Sequence, residues 1–416
     1  MKQGITALLL DYALAEPPED VRDVMRLSVL DWAACGIAGQ AEGAFANWAL
    51  GLVSDGASTR FDGRTSEAAQ AALVNGTLSH ALDYDDTHFA HIGHPSVVVV
   101  SAALAVAETR RASMAQMVDA ALIGAEASAA VGLWLGRAHY QVGYHQTATA
   151  GAFGATVAAA RLIGLDPAQL RHALGLCATM ASGVKCQFGT MGKPLNAGLA
   201  ARTGVEAATW AADGMRSAMD GLAGPLGFGE THHGAGQVPG VAWRMGDVSH
   251  KFHACCHGLH ATLEAVRGLD LGAADAITVH THPRWMSVCN QPAPATGLAA
   301  KFSYAHVLAM VAHEHDTGDI AAFSDAYALD PALVAFRDRV RVVPDEGLSE
   351  MQARVEVDGE TFNHDLSAAL SIEARRARLL DKARALVGDR ADRLWQAIEG
   401  DDLTGFTRLL GPHPGQ

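Results

Sequence analysis

The sequence predicts a mainly α-helical protein with a smaller α+β part. Three observations carry this. Apolar residues recur at helical spacing through most of residues 1–245, β-branched alternation replaces them after about residue 250, and charged helical repeats return over 371–400. Composition agrees, because 49% of the 416 residues are hydrophobic and only 18% are charged, against about 25% charged in an average domain. Such a chain buries much of its helical surface, within itself or by oligomerising.

Taken in order, VRDVMRLSVLDWAACGIAG (21–39) sets Val21, Val24, Met25, Leu27, Leu30, Trp32 and Ala33 near helical spacing and stops at a glycine. SEAAQAALVNGTLSHALDY (66–84) is an Ala-rich helix with Ser66 as its N-cap and Asp83, Asp85, Asp86 and Thr87 at its end. PSVVVVSAALAVAETR (95–110) opens with proline at the first helical position. SMAQMVDAALIGAEASAAVGLWLG and GAFGATVAAARLIG follow, rich enough in Ala and Gly to pack closely in an interior. DPAQLRHALGLCATMASG (166–183) has an Asp-Pro start, and GPLGFGETHHGAGQVPG (224–240) is a long loop. DAITVHTH (275–282) and the runs 338–343 and 352–357 are strand-like. GLAAKFSYAHVLAMVAHEH (297–315) is a helix among them, and SIEARRARLLDKARALVGDRADRLWQAIEG (371–400) is helical again.

Charge and composition exclude several classes. The net charge is −14 with no Lys/Arg-rich tract, which argues against nucleic-acid binding. A negative field gives no long-range help to an anion, so an anionic substrate needs particular Lys, Arg or His side chains to receive it. The six cysteines, Cys35, Cys177, Cys186, Cys255, Cys256 and Cys289, do not form a disulfide framework in a chain this long, which points to a reducing cytoplasm. The N-terminal apolar patch is too short for a secretory signal. No run of 18 or more apolar residues stands out, so no membrane span is expected.

Four segments concentrate chemistry. HALDYDDTHFAHIGHPS (80–96) holds Asp83, Asp85, Asp86, Thr87, His88, His91 and His94 just before a helix start. A helix N-terminus favours anions, so a carboxylate could sit there with His94 beside it. The same His and Asp residues could instead ligate a metal, although H-x-x-H alone is a weak signal. His145 precedes the Gly/Ala-rich helix, a position more often structural than catalytic. Lys193 lies in the Gly-flanked stretch FGTMGKPLNAG, before Pro194, which biases it away from helix; it is either a carboxylate anchor or a surface lysine. HKFHACCHGLHA (250–261) crowds Lys251, His253, Cys255, Cys256, His257 and His260 at the expected domain boundary, with no second Cys pair to complete a zinc site.

Across residues ~20–305 the motifs LVNGTLSHALDYDDTH, HPSVVVVSAALAVAE, GYHQTATAGAFGATVAAARLIGL, FGTMGKPLNAGLAARTGVEAA, KFHACCHGLHA and TGLAAKFS recur in an order that resembles the MmgE/PrpD family. That family includes 2-methylcitrate dehydratase, cis-aconitate decarboxylase and iminodisuccinate epimerase. The resemblance implies a helical domain built from 1–249 and 363–416, an α+β lid over 250–362, a homodimer, and a cofactor-free site in the cleft. It implies acid/base and substrate positions at Asp83, Thr87, His94, His145 and Lys193. Cys256, His257 and Tyr304 would close over the substrate from the lid. The sequence departs from the family in two places. The Thr87–His94 loop is one residue longer than in the decarboxylases, and Cys256 stands where animal cis-aconitate decarboxylases carry a histidine. His257 replaces an arginine of the family motif. GTMGKPLNAG resembles the decarboxylase/epimerase branch more than the methylcitrate dehydratases.

The expected function is cofactor-independent lyase or isomerase chemistry α to a carboxylate, on a small di- or tricarboxylate. His94 would be the acid/base, oriented through Asp83, with His145 as second acid/base or anion donor, Lys193 as carboxylate anchor and Thr87 as donor. The alternatives are a 2-methylcitrate dehydratase-like hydro-lyase, a metal-dependent hydrolase or hydratase using His88, His91, His94 and the Asp83, Asp85 and Asp86 cluster, and a non-catalytic acid-binding relative.

Overall fold

A computed structural model describes residues 4–234 and 236–412. The first three residues of the N-terminal patch and Ala235 of the 224–240 loop therefore lie outside the described residues. The chain divides into two compact units, residues 1–250 with 379–416, and residues 251–378.

The first unit is helical. In chain order its helices up to residue 212 are α1 (Ile5–Leu14), α2 (Glu19–Gln40), α3 (Gly43–Gly51), α4 (Ala68–Ser79), α5 (Ser96–Arg110), α6 (Met114–Val142), α7 (Gln146–Ile163), α8 (Pro167–Met180) and α9 (Gly192–Ala212). Helices α4, α5, α6, α7 and α9 pack against one another as its centre. Small residues make this possible: a Cβ on Gly154 of α7 would stand 2.4 Å from the Gly124 carbonyl oxygen of α6. The Ala/Gly composition thus sets how near the helix axes come, as expected for side chains without bulk at a crossing.

Several boundaries differ from the sequence reading. Ser66 does not cap α4; it pairs with Ser58 in a two-stranded hairpin formed by β1 (Ser58–Thr59) and β2 (Thr65–Ser66). α4 ends at Ser79, so the Asp cluster follows the helix by several residues and lies in turns. α8 stops at Met180 because Ala181 is extended and Gly183 adopts φ +143°. α6 does have the length and apolarity to cross a membrane, contrary to the expectation, but 89% of its apolar window is buried inside the protein.

The second unit holds a four-stranded mixed sheet in the order β4-β3-β5-β6. β3 (Ile277–Thr281) runs parallel to β4 (Val340–Pro344) and antiparallel to β5 (Gln352–Val357), which turns into β6 (Glu360–Asp365). The β5–β6 turn is Asp358-Gly359, both at positive φ (49° and 91°), the geometry a two-residue hairpin demands. β6 escaped the sequence reading because ETFNHD is too polar to show a strand pattern. The 297–315 helix is broken, since Ser303 caps a new helix (Tyr304–Ala312) by accepting from the His306 N–H.

Candidate active site

Four helix ends of the first unit supply one group of polar side chains. His80 caps the C-terminus of α4, His94 lies two residues before α5, His145 is the N-cap residue of α7, and Lys193 sits in the first turn of α9. Pro194 does not push Lys193 out of the helix as expected; it occupies the first turn of α9, where backbone N–H groups have no intrahelical partner to lose. The loop between α4 and α5 is closed by short bridges, His88 with Gly93 and Thr87 with Ser249. Its His94 N–H donates to Thr147 Oγ1 of α7 (3.1 Å). His145 is held by its N–H on the Gly183 carbonyl (3.0 Å).

At the centre is Asp85, buried to 1% exposure. One carboxylate oxygen takes a hydrogen bond from His80 Nδ1 at 2.8 Å, and the other lies 2.8 Å from His94 Nδ1 without the alignment of a full hydrogen bond. The His80 and His94 rings are 4.4 Å apart. On its other nitrogen, His94 Nε2 faces Asp83 Oδ1 at 3.6 Å, and Lys193 Nζ donates to that same oxygen at 2.7 Å. Asp83 holds this position in a left-handed backbone conformation (φ 52°), which Asp tolerates better than most residues. His145 Nδ1 is 3.2 Å from the Asn196 amide nitrogen, which also donates to the Val184 carbonyl (3.3 Å).

These contacts assign the protons. A carboxylate only accepts, and two lone pairs 2.8 Å apart would repel, so His94 carries its proton on Nδ1. Burial, with Lys193 and His80 nearby, pushes His94 down to about 4 against the opposing pull of Asp85. It is therefore neutral near pH 7, with a free lone pair on Nε2. Burial, then Lys193, His80 and His94, also hold His145 well below the usual histidine range. Because Asn196 donates to its Nδ1, its own proton sits on Nε2. Burial alone would raise Asp85, but His80 and His94 together overcome it and hold that carboxyl well below the usual range. The site thus combines a basic nitrogen, a neutral N–H donor and an ammonium.

A second layer fixes the loop from beneath. Lys382, on the helix Ile372–Val387, contacts Asp31 Oδ1 and the Tyr84 carbonyl oxygen, each at 2.6 Å. Asp86 receives the Ser96 hydroxyl (2.5 Å) and N–H (3.3 Å) at the start of α5, and burial pushes its carboxyl up to about 7.

The structure redistributes several of the expected residues. His94, Asp83, Lys193 and His145 come together, but Asp85, not Asp83, contacts the Nδ1 that orients His94. Thr87 is committed through its backbone to Ser249, and its hydroxyl turns to the Ser249 carbonyl at 3.4 Å. His88 and His91 do not join His94 in a metal set. His88 Nε2 bonds the Arg244 carbonyl (2.8 Å) and His91 Nε2 bonds Ser128 Oγ (2.7 Å). Among the described residues, the metal-type atoms that do cluster are those of His80, Asp83, Asp85 and His94, within 4.8 Å of one another. There an ion would compete with Lys193 and with the two His–Asp contacts. In the sequence reading His80 had no assigned role, Asp85 was only one of an Asp cluster that could ligate a metal, and Asn196 was not singled out. A histidine five residues before an aspartate across a helix end is the only local signal for the first two.

In the second unit, Cys256 is half-buried, and His257 is buried and stacked on His260 (centroids 4.8 Å apart). Tyr304 is fully buried, and its hydroxyl donates to the Gly258 carbonyl and meets Thr281 Oγ1, each at 2.8 Å. That hydroxyl is used inside the unit, which argues against a substrate contact. His253 bridges Thr317 (2.6 Å) and Glu264 (3.1 Å), so this His/Cys-rich stretch is partly a structural hydrogen-bond network.

Two neutral histidines, an ammonium and two carboxylates thus lie together where helices of the first unit end, an arrangement able to move a proton. Residues 3–239 match the MmgE/PrpD N-terminal domain and residues 253–399 the MmgE/PrpD C-terminal domain, and the chain belongs to the MmgE/PrpD family. It is similar to the cis-aconitate decarboxylase of Aspergillus terreus, 25% identical over 474 aligned positions that cover 99% of this chain and 95% of that protein. It is also similar to the cis-aconitate decarboxylase-like protein oryM of Aspergillus oryzae, 28% identical over 66% of this chain and 64% of that protein. The human cis-aconitate decarboxylase is 30% identical over 164 positions, 38% of this chain and 34% of that protein.

Proposed function

We infer that the chain is a cofactor-independent lyase or isomerase that moves a proton α to a carboxylate of a small di- or tricarboxylate. The observation that carries this is the pairing of a free His94 Nε2 lone pair with a His145 Nε2–H and the Lys193 ammonium in one site. Chemistry α to a carboxylate needs a base that is unprotonated near neutrality and cationic or N–H donors for the enolate-like charge. His94 takes or returns the proton. Lys193 holds a substrate carboxylate, and His145 donates to the developing oxyanion or returns a proton from a second direction. Asp83 supplies the counter-charge to Lys193. The kinship with cis-aconitate decarboxylases supports loss of CO2 as one outcome; a two-histidine site equally supports epimerisation. A homodimer acting in the cytoplasm is part of this reading.

The test is proton NMR in D2O on chelator-treated protein, against a panel of di- and tricarboxylic acids and iminodiacids. Deuterium uptake or product is expected with the wild type, and His94→Ala should lose about 10²-fold or more in turnover, as for a general acid/base. Near-normal turnover in His94→Ala overturns the assignment. Activity that appears only on adding a divalent metal would move the chemistry to the His80, Asp83, Asp85 and His94 cluster.

A further inference from the structure

His80 has no place in the proton transfer described above, yet it is the most deeply enclosed member of the group, with 0% exposure. Its Nδ1 is the better-aligned partner of Asp85, and its Nε2 is buried without a hydrogen-bond partner. A fully buried histidine with one nitrogen spent on a carboxylate and the other unpaired is costly, so a compensating role is expected. The geometry shows one. Asp85 has two oxygens and two imidazole neighbours, and each oxygen is matched to one Nδ1. While His80 saturates Oδ1, the carboxylate cannot rotate to offer both oxygens to another donor, and Oδ2 stays against His94. The remaining groups facing His94 are Asp83 at Nε2 and the Lys193 ammonium bound to it. Neither can fix the Nδ1 proton. A histidine side chain free in water prefers its proton on Nε2, the tautomer that would leave His94 with no lone pair toward Asp83 and Lys193.

We propose that His80 is a positioning residue: by holding Asp85 through its Nδ1–H it sets the tautomer of His94, so that the His94 lone pair faces the substrate side. This rests on the reading of His94 as the base. The backbone around His80 has a separate duty, because the His80 carbonyl accepts the Asp83 N–H (3.2 Å), and a substitution that keeps the backbone leaves that turn intact.

Two variants separate the tautomer role from bulk packing. His80→Phe keeps a ring against His94 and removes the donor; His80→Asn places an amide N–H where Nδ1–H was. The primary readout is long-range proton–nitrogen NMR of ¹⁵N-histidine-labelled protein, with the His94 signals identified by their loss in His94→Gln. The wild type is expected to show His94 protonated on Nδ1. In His80→Phe the ratio of Nδ1–H to Nε2–H should fall about tenfold or more, the ratio set by losing a hydrogen bond to a charged group, and His80→Asn should restore it. On any acid the enzyme turns over, kcat should follow the same order with KM little changed. The proposal is overturned if wild-type His94 carries its proton on Nε2, a result that needs no variant to fold. It is equally overturned if His80→Phe leaves the tautomer as in the wild type, or if His80→Asn behaves like His80→Phe. The tautomer measurement is independent of turnover. A silent acid panel with the expected tautomers would sink the functional reading alone.

Discussion

Replacing Lys382 by Met tests the support of the site without any knowledge of the substrate. The Lys382 ammonium lies 2.6 Å from Asp31 Oδ1, 2.6 Å from the Tyr84 carbonyl oxygen and 3.9 Å from the Tyr84 ring centre. The two charged side chains are 3% and 2% exposed. Methionine fills nearly the same volume but removes the ammonium that lies against the buried Asp31 carboxylate. Breaking a buried pair from one side costs about 3–5 kcal/mol. In a unit of this size each kcal/mol moves the melting temperature by about 2–4 °C, so Lys382→Met should melt roughly 6–20 °C below the wild type. The double variant Asp31→Asn/Lys382→Met removes both charges and should recover part of that loss. Differential scanning calorimetry of the four proteins closes the cycle. A single variant that melts within a degree or two of the wild type would refute the reasoning, as would a double variant whose loss equals the sum of the two singles. Tyr84 lies between Asp83 and Asp85, so the same substitution should also lower turnover.

Three further outcomes are expected. Lys193→Met should raise KM for carboxylate substrates about tenfold or more, the scale of a lost hydrogen bond to a charged group; steady-state kinetics with KM intact and only kcat reduced would remove its role as anchor. Gly183→Ala should destabilise by about 1–3 kcal/mol, because a Cβ there would lie 2.4 Å from the Ala148 Cβ at φ +143°. It should also cut turnover by shifting the carbonyl that holds His145, and an unchanged melting curve would contradict this. Asp86, pushed up to about 7 by burial against the Ser96 hydrogen bond, keeps a proton in the folded state between about pH 4 and 7 that the unfolded chain has released. Its contribution to stability is present below that window and is lost as pH rises through it, by up to about 1.4 kcal/mol per pH unit. Asp86→Asn should therefore gain on the wild type between pH 5 and 8 in urea unfolding, and a constant difference across that range would refute the shift.

Much of this protein is legible in the sequence because it depends on local rules. Helical periodicity, the Asp166-Pro167 start of α8 and the alternation in β3 and β5 all follow from side-chain spacing and caps that act within a few residues. Motifs and the family resemblance singled out His94, His145, Lys193 and Asp83 as candidates. Which of them touch, and in what protonation state, was not visible there. His80 and Asn196 come to His94 and His145 only because α4, α5, α7 and α9 cross at glycine-sized distances, and spacing along the chain carries no trace of that. Sequence proximity put His88, His91 and His94 together, whereas packing sent the first two to Arg244 and Ser128. The choice of Asp85 over Asp83 as the group against His94 Nδ1 is likewise tertiary. It depends on burial, which makes an unpaired charge expensive, and on the two histidines that only the folded chain brings to that carboxylate.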